Sequence, residues 1–193
     1  MNYLWTKSIN MKKIIAVHLA EGFEETEAIS IVDILRRATI EVIVVSVTGK
    51  LEVTGAHHIK VIADKLFEDV DYKDLFMIVL PGGMPGAANL EAHAGLKNQI
   101  KQFNQQNRLL AAICAAPMVL GNLGILKGKQ AVSYPGFEKY LKDAEVLTVS
   151  VVESGNVITG RGIGTALEFA LKIVEKAVSA EKAKLIGQQI LFE

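Results

Sequence analysis

Apolar residues along this chain switch between two periodicities. Lys12-Lys13 precede a nearly continuous apolar run from Ile14 to Leu19, the pattern of a strand covered on both faces. From Glu24 to Ala38 the spacing becomes helical: Ala28, Ile31, Val32 and Leu35 recur on one face, Ile29 and Ile34 widen the stripe, and Arg36-Arg37 set cations at the last turn. Glu41 to Val47 is a second strand rich in β-branched residues, so the three segments form a βαβ unit, which takes a right-handed crossover. The alternation continues through a strand at Phe76 to Leu80, a helix around His93 to Gln106, a strand at Leu109 to Ile113 and a helix opened by Ala115-Ala116-Pro117. Such a series predicts an α/β sandwich with a mainly parallel sheet. Short segments near Glu52-Val53 and from His58 to Ile62 predict an antiparallel hairpin. Val157 to Thr159 reads as a late strand before a helix over Thr165 to Ala177, and Ala180 to Ile190 as a terminal helix. Residues 1 to 10 read as an N-terminal extension. Without repeats or linkers, residues 11 to 193 are expected to form a single domain.

In open parallel sheets the working crevice lies beyond the carboxyl ends of the strands. Four loops are predicted to converge there: Ala20 to Glu27, Pro81 to Gly86, the segment at Cys114, and Gly160 to Thr165. Cys114 falls between a strand and a helix whose first turn suits Pro117. A thiol at a helix N-terminus is biased towards thiolate, and the turn parallels the nucleophile elbow of α/β hydrolases without its G-x-S-x-G glycines. Glu21, Glu24, Glu25 and Glu27 crowd the start of the first helix, where acids also serve as plain dipole partners. One of them facing the crevice is suited to move a proton to or from the thiol, and periodicity does not choose between Glu24 and Glu27. The turn at Leu80-Pro81-Gly82-Gly83 offers backbone N–H groups for an oxyanion. Neither glycine loop matches a nucleotide-binding motif. Among His18, His57, His58 and His93 only the pair His57-His58 is closely spaced, and on a strand its side chains would diverge, so no metal and no cofactor are expected.

Composition narrows the reading. With 21 Lys+Arg against 21 Asp+Glu, the chain lacks the basic excess of a nucleic-acid binder. A single cysteine excludes an internal disulfide and fits a reducing, cytoplasmic setting. The uncharged stretch from Leu109 to Leu126 reaches a membrane-spanning length, but Pro117, Gly121, Asn122 and Gly124 interrupt it; strand, turn and short helix are expected instead, and no membrane partner.

Five segments in order resemble the ThiJ/PfpI superfamily, in its DJ-1 branch: Ala20 to Glu27; Val32-Asp33 with Arg36-Arg37-Ala38; Val79 to Gly83; Ala111 to Pro117; and Arg161 to Thr165 with Glu168-Phe169-Ala170. The resemblance implies a flavodoxin-like three-layer sandwich, a homodimer, a reactive Cys114 with Glu27 hydrogen-bonded to it, and Gly83 and Ala115 N–H groups beside the sulfur. Gly82, Tyr134 and Arg161 are expected around this centre. It further implies a cysteine-dependent enzyme acting on small reactive aldehydes, converting methylglyoxal to lactate without glutathione, or deglycating; the alternative is an oxidative-stress sensor or chaperone using Cys114 oxidation. The chain departs from family patterns at three places. Ala115 stands where the protease branch has His, so proteolysis is not expected. Tyr134 stands where the DJ-1 branch often has His, and His57 where it often has Arg.

Overall fold

The computed structural model describes residues 13 to 192, so the N-terminal extension expected over residues 1 to 10 lies outside the described residues. The elements run β1 (Ile14–Leu19), α1 (Glu25–Arg37), β2 (Glu41–Ser46), β3 (Glu52–Thr54), β4 (Lys60–Ile62), β5 (Lys65–Leu66), β6 (Leu75–Leu80), α2 (Gly86–Ala92), α3 (Ala94–Gln105), β7 (Leu109–Ile113) and α4 (Pro117–Asn122). They continue through β8 (Gln130–Ala131), β9 (Glu145–Val146), β10 (Val151–Ser154), β11 (Val157–Gly160), α5 (Ala166–Ala177) and α6 (Ala180–Gln189).

Seven strands form one sheet in the order β10-β11-β7-β6-β1-β2-β5. All neighbours are parallel except β10, which runs antiparallel to β11 at one edge. β1 lies between β2 and β6, with Val17 beside Val44 on one side and Val79 on the other. The apolar runs are continuous because both faces are covered. Ile15, Val17, Leu19, Met77, Val79 and Ile113 pack with residues of α1 and α5, while Ala16, Ile78, Leu80, Leu110 and Ala112 pack with residues of α2, α3 and α4. Phe23, Phe103 and Phe169 are among the largest fully buried side chains, each stabilising by about 1.5–3 kcal/mol relative to exposure. The result is a flavodoxin-like three-layer α/β sandwich, as expected.

Some boundaries differ from the sequence reading. His93 caps α3, its ring Nδ1 accepting the Leu96 N–H at 3.0 Å, and α2 is an additional short helix before it. β10 is an edge strand whose pattern merges with the loop before it. The hairpin exists as β3 and β4, but β4 starts at Lys60 and His58 sits in the turn with φ of 64°. The strand geometry expected to splay His57 and His58 apart is therefore not the geometry they adopt. The stretch from Leu109 resolves into β7, a turn and α4, and among the described residues no helix is long and apolar enough to cross a membrane.

Candidate active site

The chain leaves β1 and enters α1 on one face of the sheet, and leaves β6 and enters α2 on the other, which opens a crevice between the carboxyl ends of β1 and β6. Cys114 follows β7 beside that crevice. It has φ of 64°, a left-handed conformation that L-residues adopt at a cost of about 1 kcal/mol or more. Its N–H donates to Gly160 O at 3.0 Å, and its carbonyl accepts the Tyr134 N–H at 2.8 Å. These two bonds hold the elbow between β11 and the loop after β8, and Pro117 opens α4 three residues later.

Glu27 projects from the first turn of α1 into the same place and is fully buried. Its Oε2 accepts the Gly82 N–H at 2.8 Å, whereas Oε1 is buried with no hydrogen-bond partner of its own. Gly82 is the hinge of the arrangement. A Cβ there would stand 2.5 Å from Cys114 Cβ, 2.8 Å from Glu27 Oε2 and 3.0 Å from Cys114 Sγ, so only glycine lets carboxyl and thiol meet. Gly83, with φ of 88°, presses against the backbone of Phe23 and Glu24, and Glu24 N–H donates to Gly82 O at 2.9 Å. The N–H groups of Gly83 and Ala115 are directed at the sulfur.

Burial pushes the Glu27 carboxyl up to about 7, against the opposing hydrogen bonds from Gly82 and Cys114, and the Glu24 charge adds to the rise. Burial likewise pushes the Cys114 thiol up to about 12, reinforced by the Glu27 charge and opposed by the Gly83 and Ala115 N–H groups. Activation of the thiol by a helix dipole, expected from the sequence, is thus outweighed: α4 has six residues, begins beyond Cys114, and does not offset desolvation. Two groups in one water-poor site do not both carry charge near neutral pH.

Glu27, Gly82, Gly83 and Ala115 are thus brought together with Cys114. Tyr134 is half-exposed at the rim, its ring against Gly162 at a spacing where a Cβ would stand 3.1 Å from Cδ2. Arg161 is directed elsewhere: its guanidinium donates to Thr148 O at 2.8 Å. Glu24, the other carboxylate that periodicity allowed, is the N-cap of α1 and faces His57. Sequence reasoning missed Glu25 as a structured group. It is buried, Oε1 accepts the His57 N–H at 2.7 Å, and Oε2 meets His57 Nδ1 at 3.0 Å. Burial alone would raise its pKa, but the hydrogen bonds from His57 and from the backbone leave it lowered; the same pairing with Glu25 raises that of exposed His57. Ligand atoms of Glu24, Glu25 and His57 lie within 4.8 Å of one another, a metal-type grouping. The signal in the sequence was a histidine following the Gly55 turn, opposite a helix start with more carboxylates than the dipole needs.

Comparison with known proteins covers most of the chain. Residues 12–176 fit the model of the DJ-1/PfpI family. The chain belongs to this family. It is 42% identical over 178 residues to Protein DJ-1 homolog A of Arabidopsis thaliana, an alignment covering 92% of this chain and 45% of that protein, so the chain spans under half of that relative. It is 37% identical to Protein dj-1beta of Drosophila melanogaster, covering 94% of this chain and 98% of that one. Among solved structures, oxidized Toxoplasma gondii DJ-1 superposes with a TM-score of 0.90 at 39% identity, over 93% of this chain and 98% of that chain.

Proposed function

We propose that this DJ-1/PfpI protein is a cysteine-dependent enzyme acting on small 2-oxoaldehydes, of the glutathione-independent glyoxalase type. The observation that carries the reading is the packing of Glu27 and Cys114 around Gly82, with one unpartnered carboxyl oxygen in a buried site. When Glu27 holds the proton, the thiolate form of Cys114 has the Gly83 and Ala115 N–H groups as partners.

The Glu27 carboxylate takes the Cys114 thiol proton as the sulfur attacks the aldehyde carbon of methylglyoxal, and it returns that proton to the resulting alkoxide to give a hemithioacetal. Glu27, again a carboxylate, removes the hydrogen on that carbon, and the electron pair moves onto the adjacent ketone oxygen to give an enediolate. Return of that proton to the neighbouring carbon, with the hydroxyl proton passing to the former ketone oxygen, leaves a thioester of lactate. Water cleaves the thioester, releasing lactate and regenerating Cys114. The sum is methylglyoxal plus water giving lactate and a proton. The Gly83 and Ala115 N–H groups serve the oxyanion stages. The carboxyl near 7 fits a group that both gives and takes a proton at neutral pH.

The test is lactate formation from methylglyoxal by the purified full chain without glutathione. Turnover is expected to vanish in Cys114→Ala and to fall by roughly 100-fold or more in Glu27→Gln. Absence of lactate together with selective oxidation of Cys114 by dilute peroxide would favour the second reading, a redox sensor or chaperone, in which protonated Glu27 donates to a Cys114 sulfinate. The observation that favours this second reading is that the similar Toxoplasma gondii DJ-1 was solved in an oxidized form.

We also assign residues 11 to 193 to one domain and the chain to the cytoplasm, where Cys114 stays a free thiol. The chain pairs with a second copy through the face where Ile29 of α1 and Ile59 and Ile62 of the hairpin stand exposed beside a groove.

A further inference from the structure

Glu24 and Glu25 open α1 and meet His57 from the turn after Gly55, and the proposed reaction uses none of the three. Their hydrogen bonding sorts each carboxylate into an occupied and an available oxygen. Glu24 Oε1 accepts the Thr26 N–H at 3.4 Å, and Glu25 Oε1 accepts the N–H groups of His57 at 2.7 Å and Ile59 at 3.3 Å. The Oε2 atoms of both turn to the same His57 Nδ1, at 3.6 Å and 3.0 Å. Glu25 is held there by a cradle in the backbone: a Cβ on Gly55 would stand 2.2 Å from its carboxyl. Among the described residues, no Lys or Arg ion pair is made by either carboxylate, so with His57 neutral the trio carries two negative charges and one lone pair.

We propose that Glu24, Glu25 and His57 form a binding site for a borderline divalent cation of the Zn2+ type. Zinc bonds to carboxylate oxygen and imidazole nitrogen are about 2.0–2.2 Å long, which at a tetrahedral angle sets ligand atoms roughly 3.3–3.6 Å apart. The observed separations of 3.0 Å and 3.6 Å bracket that edge, so the ion replaces the proton now shared by His57 and Glu25 with little movement of the ligands. Backbone donors on Glu25 Oε1 supply the outer support that orients a metal-binding carboxylate. His57 is 67% exposed in the single chain, which leaves the remaining coordination position open to a further ligand. This refines the expectation of no metal, which considered His57 only with His58.

The experiment is calorimetric titration of the tag-free full chain with Zn2+ after chelator treatment, paralleled by Co2+ absorption. One ion per chain is expected, with binding weakened by more than about tenfold in His57→Arg, which keeps a cation beside the carboxylates but cannot ligate. Glu24→Gln, on a part-exposed side chain, should give the same loss, and His58→Ala none. Cys114→Ser separates this site from the thiol: binding should persist, and the Co2+ spectrum of the unaltered chain should lack thiolate charge transfer. Absence of Zn2+ binding overturns the proposal. So does binding that survives His57→Arg and disappears in Cys114→Ser.

Discussion

Gly82 and Cys114 lie so close that a methyl group on Gly82 would stand 2.5 Å from Cys114 Cβ. Gly82→Ala therefore has to push the thiol away from Glu27 or displace the end of β6. Overpacking of this kind costs about 1–3 kcal/mol, and a displacement near 1 Å at a reacting centre costs on the order of 100-fold in rate. Urea midpoints and lactate formation measured on the same preparation check both; a variant with the parental rate would remove Gly82 from the site.

Glu27 makes the fold sensitive to base. Its carboxyl is raised from 4.5 to about 7 by burial, so the folded chain holds a proton that the unfolded chain has lost. Its contribution is complete below 4.5 and is lost as pH rises through about 7, by roughly 3 kcal/mol at most given its coupling to Cys114. Glu27→Gln, neutral throughout, is expected to be the more stable protein at pH 8 and to differ little at pH 4. Denaturation across that range reads the difference.

His18 acts in the opposite direction. Burial lowers its pKa from 6.5 to about 3, and its Nε2 is bonded to Tyr72 Oη at 2.8 Å on the inner face of β1. The unfolded chain binds the extra proton between those values, so stability is full above 6.5 and falls below it at up to about 1.4 kcal/mol per pH unit. Replacing the pair together, His18→Leu with Tyr72→Phe, should remove that slope without leaving a buried hydroxyl alone. An unchanged acid limb in the double variant would assign the slope to other groups.

Phe169 connects the core to the elbow. It is fully buried in α5 and packs against Gly160, whose carbonyl receives the Cys114 N–H. Phe169→Ala is expected to cost about 3–5 kcal/mol, read as a lower melting temperature. Labelling of Cys114 should also quicken, because local opening of β11 exposes the thiol.

Legibility in the sequence followed the range of the forces involved. The runs Ile14 to Leu19 and Leu109 to Ile113 announce buried strands because a strand covered on both faces needs apolar residues throughout, and α1 announces itself through Ala28, Ile31 and Leu35. The elbow at Cys114 was readable as a strand meeting Pro117. Choosing Glu27 over Glu24 was not readable from periodicity, since both follow the same helix start; the choice depends on Gly82, fifty-five positions away in sequence. The two-residue strand β5 and the edge strand β10 were illegible for a related reason: a strand paired on one side needs little apolar patterning. The shift of the Cys114 thiol was misread because the dipole of a short helix is a local feature, whereas the burial that outweighs it comes from the whole crevice.

The left-handed backbone at Cys114 has a consequence for what selection would do at this position. Glycine takes such a φ without strain and asparagine takes it readily, whereas a β-branched residue fits it worst. A library randomised at position 114 and sorted only for folded protein should therefore drift to glycine and asparagine and discard valine, although valine fills an apolar site better. Sorting the same library for survival in toxic aldehyde or in peroxide should return cysteine, and the distance between the two outcomes measures how far chemistry, rather than folding, dictates this residue.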